Sequence, residues 1–260
     1  LCDTIKGTGM APWIYQGKYP SYMEFGVLQA QIYKRGGMKP MIDIDNLEDQ
    51  AWYAQEVVDS VNELYMLTEN GYIFQGVEGL NHTESQAEWL KGKAAFIPCG
   101  TWLENEMKGT IPDNFNMVLG EVPGEGHGVL AVGGEPFIVP AKAKNPIAGL
   151  ELLRCLISKD SAKYFAVNVS AMMPVTGGTD GVKVSTGMSS AIEVVVAAGK
   201  DVFPFFSYGG WYSDLGTETS AKLGEMLTKQ ITPDQFIEAC QKMADKVKAD
   251  PEVTKFKRTA

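Results

Sequence analysis

One short passage restricts the possible folds more than any other. Thr83, with Gln86 three positions on, opens a helix that runs through Ala87 and Leu90 to a stop at Gly92. Ala94-Ala95-Phe96-Ile97 follows, an apolar run too short for a helix and closed by Pro98, and it reads as a buried strand. Directly beyond it, Cys99-Gly100-Thr101-Trp102-Leu103-Glu104 offers Thr101 as a cap and Glu104 to close the box, with Trp102 in the first turn of another helix. Helix, strand, sharp turn and helix in that order predict an α/β fold.

The remaining periodicity agrees. Asp45 and Glu48 read as a capping-box pair ahead of a long amphipathic helix with Ala51, Ala54, Val57, Val58, Val61, Leu64 and Tyr65 on its apolar face and Gly71 as terminator. Phe115 to Leu119 and Phe137 to Val139 are further strand candidates, and capped helices are expected near Asn145-Pro146, Ser158 and Ser190. Leu215, Leu223, Met226 and Leu227 share a helix face, and Thr232-Pro233-Asp234-Gln235 supplies cap, first-turn proline and box glutamine for a last helix through Phe236, Ile237, Cys240, Met243, Ala244 and Val247. The glycine-rich stretch from Gly120 to Gly134 is loop-like and long enough for a hinge or lid.

Composition narrows the function. The 260 residues are 45% hydrophobic and 21% charged, as in a globular protein with a sizeable core. Asp plus Glu outnumber Lys plus Arg by 32 to 23, a net charge of -9 that repels polyphosphates and anionic membranes, so no nucleic-acid partner is expected. Apolar runs are short, as at Val194 to Ala198, and none approaches a membrane span. Leu1 and Ile5 lie one helical turn apart with no cap before them, which reads as the middle of a helix and residue 1 as a cut. Cys2, Cys99, Cys155 and Cys240 are scattered without metal or redox spacing and read as buried small hydrophobes; their even number leaves disulfides open, though a core this large does not require them.

Groups that could carry catalysis are sparse. His82 and His127 are the only histidines, neither in a nucleophile or metal motif, and both read as exposed loop residues. Gly124-x-Gly126-x-Gly128 lacks the spacing and the Lys-Ser/Thr ending of a phosphate loop. Asn81-His82-Thr83 and Asn168-Val169-Ser170 match the glycosylation pattern beside helix signals and are assigned no function. An acidic pair for glycoside hydrolysis stays open, because its spacing is set in space and not in sequence.

Aromatic residues are more informative. Trp13, Tyr15, Tyr19 and Tyr22, then Trp102, then Phe205, Phe206, Tyr208, Trp211 and Tyr212 form three clusters. Core packing is the default reading of any one of them, whereas Trp102 and the stretch 208–212, flanked by glycines at helix starts, are expected to pack poorly into a core. Trp102 follows a strand, where ligands of open α/β sheets bind, and Gly100 lets a ligand approach the backbone. An indole suits a pyranose, whose C–H face covers the ring while hydroxyls bond at the rim; burying one such ring is worth roughly 2 to 4 kcal/mol.

At this point the residues resemble the carbohydrate-binding members of the extracellular solute-binding proteins that serve ABC importers. The likeness rests on Trp89-Leu90-Lys91-Gly92-Lys93-Ala94-Ala95-Phe96-Ile97-Pro98-Cys99-Gly100-Thr101-Trp102, on Gly134-Glu135-Pro136-Phe137-Ile138-Val139-Pro140 with Lys144-Asn145-Pro146, and on Trp211-Tyr212. It covers essentially the whole chain and leans, over residues 80 to 145, toward binding proteins for N-acetylglucosamine and its β-linked disaccharide. The resemblance implies that Trp102 and Trp211 stack on sugar rings, that Tyr212 and Tyr22 line the cleft, and that Glu135 accepts hydroxyl hydrogen bonds.

The fold implied is α/β, periplasmic-binding-protein-like, with a type II two-lobe architecture whose first lobe is incomplete here. Residues 1–132 then build the second lobe, 133–200 return to the first, and 201–260 complete the second with an aromatic cleft segment and the last helices. Two lobes close on a sugar, and a membrane permease recognises the closed form. The resemblance further implies a monomer without cofactor, at the extracellular face of the membrane or in the periplasm, lipid-anchored through an upstream segment. With part of one lobe missing, the isolated chain is expected to bind sugar weakly or not at all and to expose apolar surface. A glycosidase using an acidic pair in the same cleft and a sensor ectodomain are the competing readings.

Overall fold

The computed structural model describes residues 1–131, 137–173, 175–204 and 208–259. Its short strands form two parallel pairs among the described residues. Strand β1 (Ala11–Trp13) pairs with β2 (Ala94–Phe96), matching Ala11 to Ala94 and Trp13 to Phe96. Strand β3 (Val129–Ala131) pairs with β4 (Val202–Pro204) in the same sense. Parallel partners so distant in sequence require long crossovers, and helices fill them.

By contact the chain divides into two units, Leu1–Cys99 with Glu121–Ala131 and Lys200–Ala260, and Gly100–Gly120 with Val132–Gly199. In the larger unit the core gathers Val57, Val61 and Leu64 of the helix Gln55–Glu69, Leu215, Leu223 and Met226 of Ser213–Leu227, and Phe236 and Cys240 of Pro233–Ala249. Trp52 meets Phe236 edge-on with ring centroids 6.1 Å apart. Each such side chain contributes roughly 1.5 to 3 kcal/mol by leaving water. Helix Gln29–Gly36 is tied to β4 by Tyr33, whose ring stacks on Phe203 at 5.0 Å and whose hydroxyl donates to the Pro204 carbonyl at 2.7 Å.

In the smaller unit, Leu103, Met107, Ala162, Ala166, Met188 and Ala191 are buried. Its helix Pro146–Leu156 buries no residue, and Ile147, Leu150 and Leu152 are exposed.

Several expected starts shift. Asp45 does not cap a helix; it ends Lys39–Asp45, and left-handed residues Leu47 and Gln50 separate that helix from Gln55–Glu69. Asp45 is drawn inward instead by Arg258, its ion-pair partner. The capping box of His82–Leu90 belongs to Asn81 and Glu84, not Thr83 and Gln86, because Gln86 is buried and its amide engages His82. Ser185, not Ser190, caps Thr186–Ala198, and Ser190 Oγ accepts from the Leu119 N–H at 2.8 Å. That bond lies in the stretch 115–119, which is irregular and not a strand, as is 137–139. Asn145, Ser158 and the Thr232–Gln235 box cap their helices as expected.

Of the glycine-rich stretch 120–134, residues 121–128 are tied to the helix Gln29–Gly36, 129–131 form β3, and 132–134 lie outside the described residues. Lys34 Nζ donates to the Val122 carbonyl at 2.7 Å and pairs with Glu121 at 3.3 Å, and a Cβ on Gly126 would meet the Lys34 carbonyl oxygen at 2.1 Å.

Candidate functional site

Trp102 sits in the smaller unit at the cap of the short helix Leu103–Glu106, without the side-chain cap expected of Thr101. Glu104 accepts instead from Ser185 Oγ at 2.5 Å. The half-buried indole of Trp102 folds over Gly100: a Cβ there would lie 2.0 Å from its Cζ3. Gly100 therefore makes room for the protein's own ring.

The larger unit holds Tyr22, Trp211 and Tyr212. Tyr22 lies in Ser21–Met23, two residues before the π-helical turn Glu24–Leu28, and is half-buried. Its ring is 5.1 Å from Phe25 and 5.2 Å from His82. His82 opens its helix against Tyr22 with Nε2 2.9 Å from the Gln86 amide, so it is not the exposed loop histidine its sequence suggests. Gln86 also reaches Cys99 Sγ at 3.8 Å, and Gln16, fully buried just past β1, donates to the Pro98 carbonyl at 3.1 Å. The carboxyl ends of β1 and β2 thus carry a polar and aromatic group, the position where open α/β sheets present ligand contacts.

Trp211 ends the helix Tyr208–Trp211 and is half-buried, while Tyr212 is only 3% exposed. The Tyr212 hydroxyl accepts the Phe256 N–H at 3.0 Å, and the Phe256 ring lies 5.3 Å from Trp211. The Arg258 guanidinium lies 4.5 Å from the Trp211 ring centroid while its Nε donates to the buried Asp45 carboxylate. Burial pushes the Asp45 carboxyl up, against the pull of Arg258.

Other sequence candidates fall elsewhere. Trp13 and Tyr15 are core residues at 5% and 2% exposure, since Trp13 packs 5.1 Å from Phe96 across the β1–β2 pair. Tyr19 is exposed, as is His127. Glu135, Phe205 and Phe206 lie outside the described residues. All four cysteines are free, but only Cys240 is buried; Cys155 is exposed. Among the described residues no group of three or more His, Cys, Asp or Glu could hold a metal ion. The Arg258 and Asp45 pairing has no sequence signature, because 213 residues separate the partners.

Aromatic faces with amide, carboxylate and backbone groups nearby suit a neutral polyhydroxylated ligand. Residues 2–185 match the family of bacterial extracellular solute-binding proteins. The chain belongs to that family. One relative of this solute-binding protein, the diacetylchitobiose binding protein NgcE of Streptomyces coelicolor, is 31% identical over 237 residues, covering 86% of this chain and 49% of the relative. The chain therefore spans about half the length of that relative. A chitin oligosaccharide binding protein superposes with a TM-score of 0.75 at 18% identity over 96% of this chain and 63% of its own. The maltose-maltodextrin binding protein of Alicyclobacillus acidocaldarius gives 0.64 at 14% identity over 93% of this chain and 64% of its own. These solute-binding relatives bear out the type II periplasmic-binding-protein fold.

Proposed function

We propose that the chain is the sugar-capturing component of a bacterial carbohydrate ABC importer, binding an N-acetylglucosamine oligosaccharide such as diacetylchitobiose and delivering it to a membrane permease. The observation that carries this reading is the 31% identity to a diacetylchitobiose binding protein, sustained over 237 residues. Its relatives are binding proteins by name, which favours capture over glycoside hydrolysis. In this reading Trp102, Trp211 and Tyr22 offer their ring faces to the sugar, and Glu135 accepts from its hydroxyls. Tyr212, being buried, supports Trp211 from within. The protein acts as a monomer outside the cytoplasmic membrane, held there by a lipid anchor. A panel of sugars in a thermal-shift assay on the full-length gene product tests it: the cognate sugar raises the melting temperature by mass action, and it does so least when Trp102 or Trp211 is alanine.

A further inference from the structure

Trp211 is the last residue of a four-residue helix, an element too short to hold an indole by itself. Besides Tyr212, whose ring meets it edge-on at 6.3 Å, the groups that flank the ring come from the chain's last described residues. The Arg258 guanidinium covers it at 4.5 Å, and the Phe256 ring lies 5.3 Å away. This stretch is anchored at every step. Phe256 N–H donates to the Tyr212 hydroxyl at 3.0 Å, and Lys257 pairs with Glu48 at 2.7 Å. Arg258 exchanges backbone hydrogen bonds with the Asn46 side chain at 2.6 and 2.9 Å, and its Nε donates to Asp45, which is fully buried.

A planar cation held on a buried carboxylate has little freedom, so the ring beneath it has little. An indole has two faces, and a guanidinium on one leaves the other for stacking. We infer that Arg258, seated on the buried Asp45, is a positioning residue that fixes the Trp211 indole in place and reserves a single face of the ring for carbohydrate. The second half of this inference rests on the reading of Trp211 as a sugar-stacking residue; the first half does not.

The test uses the full-length gene product labelled with 5-fluorotryptophan, with the Trp211 resonance assigned through Trp211→Phe. Arg258→Lys keeps a cation beside Asp45 and removes the planar cover. The Trp211 resonance is expected to shift and broaden while the other tryptophan resonances stay in place, the melting temperature changes little, and the affinity for diacetylchitobiose falls about tenfold. Arg258→Ala in an Asp45→Asn background removes the cover without stranding a buried charge and is expected to give the same spectrum. An unchanged Trp211 resonance in both variants overturns the clamp. If Trp211→Ala leaves diacetylchitobiose binding intact, or the protein binds none, the functional reading falls, and the fluorine spectrum still decides whether Arg258 holds the ring.

Discussion

The indole of Trp102 packs against Gly100, close enough that a methyl group on residue 100 would sit 2.0 Å from Cζ3 and 2.3 Å from Cη2. Gly100→Ala must therefore drive the ring out of its place. The variant is expected to change tryptophan emission and to weaken sugar binding in the same direction as Trp102→Ala. For Trp102→Ala the expected loss in the full-length gene product is roughly 1 to 3 kcal/mol, the range for a buried aromatic anchor. Calorimetry on the two variants checks both; unchanged affinity removes Trp102 from the site.

Asp45 is fully buried, and Arg258 is its ion-pair partner. Arg258→Ala is expected to destabilise the fold by about 3 kcal/mol, because a carboxylate is left buried without its cation. Adding Asp45→Asn should recover much of that loss. Urea denaturation of the single and double variants measures it, and purely additive effects would contradict the pairing.

Burial pushes the Tyr15 phenol from its ordinary 10.0 up to about 12, with the nearby Glu78 carboxylate adding to the shift. The folded protein thus holds this proton more tightly than the unfolded chain. Stability from Tyr15 is complete below pH 10 and is lost as pH rises toward about 12, a change of about 2 to 3 kcal/mol. Tyr15→Phe should flatten the fall in urea midpoint between pH 9 and 11.5, roughly the window of that shift.

Thr232 accepts from the Gln235 N–H at 3.3 Å and Gln235 Oε1 accepts the Thr232 N–H at 2.9 Å, a complete capping box. Thr232→Ala should cost about 1 kcal/mol. Thr101→Ala, at a residue that caps nothing, should cost close to none. Thermal melts of the two variants separate these outcomes.

These caps show what was legible. The Thr232 box, the Asn145 and Ser158 caps, the β2 strand and the apolar faces of Ser213–Leu227 and Pro233–Ala249 follow local rules. Asp45 and Glu48 obey the same pattern in sequence, yet Arg258 outbids the helix for Asp45 from 213 residues away. Gln86 and Ser190 likewise have tertiary partners, His82 and the Leu119 N–H, that no local pattern reveals. Trp13 and Trp211 could not be told apart from spacing alone: one is sealed by Phe96 across a strand pair, the other sits beneath Arg258. Sequence periodicity registers neighbours along the chain, and both of these contacts are long-range.

The most direct measurement is isothermal titration calorimetry of the full-length gene product against diacetylchitobiose and a panel of unrelated disaccharides, with the sugar recovered afterwards for mass spectrometry. Capture predicts saturable heat for diacetylchitobiose, lost in Trp102→Ala and Trp211→Ala, and a sugar returned intact. No saturable heat for any sugar, or a recovered sugar cleaved into its monosaccharides, would contradict it.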